Sequence, residues 1–260
     1  MSTILDRIIE VKKTELDYLR GLEIINGSAQ NKRSFIEKIR QANEMKIIAE
    51  FKRASPSKGD INPNLNPQDQ AQLYEQYGAD AVSVLTDTSF FKGSFSDLQA
   101  VREVIDLPIL CKDFIIDKVQ IDVANQAGAD IILLIAAALE EQQLIELYQY
   151  ATSKGLEVLV EIHDGEDLQK AIAAKALLIG INNRNLKTFE IDLKATETLA
   201  PLVKETGAFL ISESGIKSVS DVERVKNAGA RGILVGETFM TAANLEGTFQ
   251  QLKLPIRTVI

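Results

Sequence analysis

The chain has 260 residues, 45% of them hydrophobic and 25% charged, which is ordinary globular composition with length enough for one large core. Its 29 Lys and Arg against 37 Asp and Glu give a net charge of -8, which argues against nucleic acid or an anionic membrane as partner. One cysteine excludes an intrachain disulfide, and with one histidine beside it no His/Cys metal site can be assembled.

From Ser2 to about Arg20 the sequence reads as a helix, with Ile4, Leu5, Ile8, Ile9, Leu16 and Leu19 at helical spacing among charges. That apolar stripe is read as packing, and Gly21 as the stop. The stretch is charged and lacks an apolar core before a cleavage site, so no secretory signal is expected. No apolar run is long enough for a bilayer span, and a cytoplasmic location follows as the expectation. A second short helix is predicted over Ser34–Arg40, with Ser34 as N-cap and Glu37 three residues on.

Short apolar runs then alternate with amphipathic segments. The predicted strands are Ile47–Phe51, Ala81–Leu85, Ile109–Cys111, Ile131–Ile135, Glu157–Val160, Leu177–Ile181, Phe209–Ser212 and Gly232–Val235. A weak repeat precedes three of them, at Gly78, Gly128 and Gly229, each placed where a helix would end. Strands alternating with helices mean parallel βα units. A doubly wound sheet would also alternate, but eight units with polar residues at many strand ends favour a closed (βα)8 barrel, the TIM barrel of the α/β class. No Pro/Gly-rich linker divides the chain, so 1–260 is read as one domain, with 1–45 as an N-terminal helical extension and 46–260 as the barrel.

Sites in such a barrel form at the C-terminal strand ends. The first strand carries Glu50 and Lys52 on one face by period-two alternation, then a Ser55-Pro56-Ser57-Lys58-Gly59 turn with donors for an anion. An ordinary ion pair would explain Glu50 and Lys52 alone, but the pattern recurs. Lys112 ends the third strand, Glu161 the fifth, Asn182 and Arg184 the sixth, and Glu213 the seventh. Phe91, Phe114, Leu133 and Leu186 are placed to form an apolar wall, the profile of a small-molecule site. Ser214-Gly215-Ile216 and Gly236-Glu237 are glycine turns entering helices after strands seven and eight, where exposed amides make a phosphate cradle. Alternation turns Cys111 and Arg53 away from the barrel interior, so the thiol is read as packed and inert and Arg53 as structural. His163 lies beyond Glu161 and is not expected in catalysis.

Four of these stretches, Ile47–Ser57, Leu110–Ile115, Ile179–Leu186 and Ile211–Ile216, resemble the indole-3-glycerol phosphate synthase family, in order and over essentially the whole chain. The resemblance implies a (βα)8 barrel with helices over the active-site face. It also implies conversion of 1-(2-carboxyphenylamino)-1-deoxyribulose 5-phosphate to indole-3-glycerol phosphate with loss of carbon dioxide and water, and no cofactor. It assigns Lys112 to protonating the ketose oxygen, and Glu161 with either Lys52 or Glu50 to dehydration. Asn182, Glu213 and Ser214 match positions that hold substrate hydroxyls and the lysines. Ser55, Arg184, Gly215 and Gly236 match substrate-binding positions, and Phe91, Phe114, Leu133 and Leu186 the ring pocket. Glu237 departs from relatives with a small hydroxyl residue there, and its side chain is expected to turn away from the phosphate. The expected partner is a small sugar phosphate, with neither nucleic acid nor membrane, and the expected state is a monomer. A Schiff-base aldolase through Lys112, a sugar-phosphate isomerase, or a barrel that binds a sugar phosphate without turnover are the competing readings.

Overall fold

The computed structural model describes residues 3–23 and 32–256. Eight parallel strands close into a barrel: β1 Lys46–Phe51, β2 Ala81–Leu85, β3 Ile109–Lys112, β4 Ile131–Ile135, β5 Glu157–Ile162, β6 Leu178–Asn182, β7 Phe209–Glu213 and β8 Gly232–Val235. Each strand pairs with its neighbours in sequence, and β8 returns to β1 in a register running from Lys46 opposite Gly232 to Ala49 opposite Val235. That closure rules out a doubly wound sheet, whose outer strands would stay unpaired.

Period-two alternation divides the buried residues in two. Ile48, Leu110, Leu159, Leu178, Ile211 and Leu234 pack with one another inside the barrel. Their neighbours Ile47, Cys111, Val160, Ile179 and Ile233 pack in the layer shared with the helices. The observed strands lie within two residues of those predicted. The differences fall mainly at C-terminal ends, where Lys112, Asn182 and Glu213 remain paired in the ladder although their side chains are polar. Gly78, Gly128 and Gly229 have φ of 95°, 99° and 123°, the left-handed turns the repeat implied.

The N-terminal extension splits between the two ends of the barrel. Helix α1, Ile4–Arg20, begins at Thr3 with a capping box to Asp6, while Ser2 lies outside the described residues. Its first turns reach the barrel mouth, where Ile4, Leu5 and Ile8 line the cleft. The packing role expected for the stripe holds further along, where Leu19 and Leu16 sit on Val119 and Val123. Helix α2, Phe35–Arg40, closes the opposite end: Phe35 and Ile39 are fully buried among the interior barrel residues. Glu157, at the start of β5, fixes this plug by accepting from the Ser34 hydroxyl and the Phe35 and Ile36 amides. Among the described residues, the part of the extension that lies over the active-site face is α1. Among the described residues no helix is long and apolar enough to cross a membrane.

Candidate active site

The polar strand ends gather at the mouth in two clusters. Within the first, Lys52 Nζ lies 2.6 Å from Glu50 Oε1, both on β1 or just beyond it. The pair sits against Gly236, where a Cβ would approach Glu50 Oε1 to 2.6 Å and Lys52 Nζ to 3.0 Å, so any side chain there must push the pair aside. The second centres on Lys112, whose Nζ is 2.5 Å from Glu213 Oε2 and 3.3 Å from Glu161 Oε2. Asn182 Nδ2 donates to Glu161 Oε1 at 3.1 Å, and Asn182 Oδ1 accepts the Arg184 amide at 3.0 Å.

For Lys112, Glu161 and Glu213, burial and the neighbouring charges together set the protonation. Burial pulls the Lys112 ammonium down, but Glu213, Glu161 and Glu50 together outweigh it and hold the amine above its ordinary value. Glu161 goes the other way: burial raises it, yet Lys112, His163 and the Asn182 hydrogen bond bring it below the usual carboxylate value. Burial pushes the Glu213 carboxyl up to about 7 despite Lys112, and the neighbouring Glu161 and Glu50 add to the rise. Three carboxylates face two ammonium ions here, and Glu213 carries the surplus.

The loops are held from behind. Asn183 points away from Asn182, buried, and donates to Ser212 Oγ at 2.9 Å and to the Glu213 and Ser214 carbonyls at 2.9 and 3.1 Å. Its Oδ1 accepts from Thr196, which ties the ends of β6 and β7 to the following helix. Ser214 and Gly215 then turn through φ of 65° and 86°. A side chain at Gly215 would also strike Ile191 at 2.5 Å, so glycine is required twice over. After β1, Ala54–Ser55 pairs with Gly59–Asp60 as a small antiparallel hairpin that brings Ser55 and Ser57 to the cleft. Glu237 Oε1 reaches outward to Lys58 Nζ at 3.2 Å, while its backbone opens the turn Glu237–Met240.

The cleft brings together every residue assigned to the site from the sequence. Glu50, Lys52, Lys112, Glu161, Asn182 and Ser214 line it, and so do Ser55, Phe91, Phe114, Leu133, Arg184, Leu186, Glu213, Gly215, Gly236 and Glu237. The Phe91 and Phe114 rings lie 5.9 Å apart. Sequence reasoning passed over Ile4, Leu5 and Ile8 as lining residues, and also Phe189, Ile191 and Lys217. Arg53 faces away, in a two-pronged pair with Asp97 at 2.6 and 2.8 Å. Cys111 is fully buried beside the Thr86 hydroxyl, and burial pushes its thiol up to about 12. His163 does not line the cleft, yet its Nε2 lies 3.4 Å from Glu161 Oε1.

A closed parallel barrel with lysines and carboxylates interleaved at one mouth, beside an aromatic wall, has the form of a barrel enzyme with its site at the C-terminal strand ends. The family description indole-3-glycerol phosphate synthase matches residues 2–252, and the chain belongs to that family. The chain is 53% identical over 256 residues to the indole-3-glycerol phosphate synthase of Bacillus cereus, covering 98% of this chain and 100% of the relative. It is 51% identical over 255 residues to that of Oceanobacillus iheyensis, covering 98% of each. Among solved structures, a 3-hexulose-6-phosphate synthase superposes with a TM-score of 0.62 at 19% identity, over 80% of this chain and 98% of that one. That likeness is one of fold.

Proposed function

We propose that the mouth clusters carry out the family's ring closure, with Lys112 as the first acid. The enzyme is a carboxy-lyase of tryptophan biosynthesis, converting 1-(2-carboxyphenylamino)-1-deoxyribulose 5-phosphate to indole-3-glycerol phosphate. The aryl carbon bearing the carboxylate attacks the ketose carbonyl carbon, and the carbonyl oxygen takes up a proton as it becomes a hydroxyl. Loss of carbon dioxide leaves its electron pair in the ring and restores aromaticity. Departure of the hydroxyl as water, with loss of a proton from the neighbouring carbon, completes the indole.

The observation that carries this reading is the seat of Lys112 between Glu213 at 2.5 Å and Glu161 at 3.3 Å. An amine held above its ordinary value is loaded with its proton at neutral pH, as a donor must be. Glu161, held below its ordinary value, is ready to accept one. We assign Lys112 to the ketose oxygen, Glu161 to the proton lost in dehydration, and Lys52, steadied by Glu50, to the departing hydroxyl. Asn182 orients Glu161, and Glu213 anchors Lys112. Phe91, Phe114, Leu133 and Leu186 hold the aryl ring, with Arg184 near its carboxylate. Ser55 and the amides of Ser214, Gly215, Gly236 and Glu237 take the phosphate. The Lys58 contact supports an outward Glu237 side chain that leaves only its N–H toward the ligand. Residues 1–260 act as one domain, a cytoplasmic monomer whose partner is this sugar phosphate.

The test is direct. The protein is mixed with the carboxyphenylamino ketose phosphate and indole fluorescence is followed, against a chain that contains no Trp. Borohydride trapping runs in parallel. A covalent adduct on Lys112 would favour the aldolase reading, and no product at all would favour a mere binder.

A further inference from the structure

Lys12 lies on the buried face of α1 with Leu5, Ile8 and Leu19, and it is 2% exposed. An ammonium so placed is costly unless it is paired. Three carboxylates surround it: Asp113 at 2.8 Å, Glu15 at 2.9 Å and Asp87 at 3.0 Å, the last a charge contact without hydrogen-bond alignment. Burial pulls the amine down, but Asp113 and Asp87 outweigh it, so the group stays charged through neutral pH.

Both aspartates do something else as well. Asp87 Oδ1 accepts the amides of Phe90 at 2.7 Å and Phe91 at 3.2 Å, capping the single turn Thr88–Phe91. Asp113 Oδ1 accepts the Phe114 amide at 2.7 Å, and Oδ2 the Thr86 hydroxyl at 2.6 Å. One ammonium therefore joins the two carboxylates that fix the backbone of Phe91 and Phe114. Those rings stand on the cleft wall, whereas Lys12 does not reach it.

We infer that Lys12 is a positioning residue for the aryl pocket: from the N-terminal helix it clamps Asp87 and Asp113, and through them sets the spacing of the Phe91 and Phe114 rings. The inference rests on the ring-closing activity proposed above. It gives α1 a part in substrate recognition beyond covering the mouth. Recognition of the phosphate, which lies on the β7 and β8 side, does not pass through this clamp.

The experiment compares Lys12→Met, which keeps the stem and drops the charge, with the unaltered protein. The readouts are KM and kcat for the carboxyphenylamino ketose phosphate and the Ki of inorganic phosphate as competitor. KM is expected to rise about tenfold with kcat within about threefold and the phosphate Ki unchanged, as suits a shifted wall rather than a damaged centre. Lys12→Arg, which keeps a cation between the aspartates, should restore most of the KM. A KM within about twofold of the unaltered protein overturns the inference. So does a phosphate Ki that rises in step with KM. If Lys12→Met does not fold, the same ratio of KM to Ki is read on Lys12→Met/Asp113→Asn and Lys12→Arg, and a wild-type ratio in both overturns it. Turnover by the unaltered protein tests the activity separately, so the two failures cannot be confused.

Discussion

Gly236 offers the sharpest test of the Glu50–Lys52 pair, because alanine there adds one methyl group and no charge. Backbone φ at this position is -115°, so alanine meets no left-handed strain and acts through contact alone. The added carbon would sit 2.6 Å from Glu50 Oε1 and 3.0 Å from Lys52 Nζ, where 3.4 Å is ordinary contact. Glu50 must therefore withdraw by most of an ångström, and Lys52, bonded to it at 2.6 Å, moves with it or loses it. Displacement of that size in a catalytic array costs on the order of 100-fold in rate, or about 2.7 kcal/mol of transition-state stabilisation. The same crowding lowers fold stability by about 1–3 kcal/mol. Stopped-flow indole fluorescence and a thermal melt on Gly236→Ala measure both. A variant with kcat within about threefold of wild type would refute the claim that this pair takes part in chemistry.

Lys112→Ala is expected to lower turnover by about 10²- to 10⁴-fold while retaining substrate binding, measured by equilibrium titration. Near-normal turnover would remove Lys112 as the acid. Glu213 makes stability depend on pH in a defined sense. Its carboxyl is raised in the fold to about 7 from 4.5, so the stability tied to its protonated form is complete below pH 4.5 and is lost as pH rises through 7. The shift amounts to about 3 kcal/mol. Urea midpoints at pH 5 and pH 8 should fall less between the two for Glu213→Gln than for wild type, and an equal fall contradicts the burial argument. Cys111 should resist alkylation in the folded protein and react once it is unfolded, since the thiol is fully buried. Rapid labelling of the native enzyme would show that β3 opens in a way the packing does not allow.

The strands were legible because a parallel barrel buries both faces of each, so the apolar runs stand out between helical segments. Their C-terminal limits were not, since Lys112, Asn182 and Glu213 keep their ladder bonds while presenting charge or amide to the mouth. The Ser55–Gly59 turn read as a donor loop, but its hairpin pairing is a tertiary outcome of only two residues a side. Helix α2 read as a short capped helix, and nothing local says that Phe35 and Ile39 plug a barrel. Site residues scattered along the sequence gathered because one rule, polar groups at C-terminal strand ends, applies to every unit. Lys12 obeys no such rule. A lysine in a charged helix reads as solvated, and its only trace is a position four residues past Ile8 and seven before Leu19, on the apolar side.

Charge explains how so acidic a chain can take an anionic ligand on the proposed reading. The deep cluster is short of positive charge, with Glu50, Glu161 and Glu213 around Lys52 and Lys112. A phosphate placed there would face carboxylates in a medium where repulsion is strong. The rim is different: Lys58 neutralises Glu237, and Arg184 and Lys217 line the cleft without an ion pair of their own among the described residues. Gly215 and Gly236, in the turns after β7 and β8, put no side chain there, which suits the amide cradle proposed for the phosphate. On that reading the phosphate is drawn to the rim by Lys217 and the amides and the aryl carboxylate by Arg184, while the carbonyl end of the ligand goes inward to an amine that the surplus carboxylates keep protonated. Removing a deep carboxylate to relieve the surplus would strengthen the acid by lowering its value, but it would also free the amine that Glu213 and Glu161 hold in place. On the proposed reading the interior is less stable at the spot where that tension positions a proton.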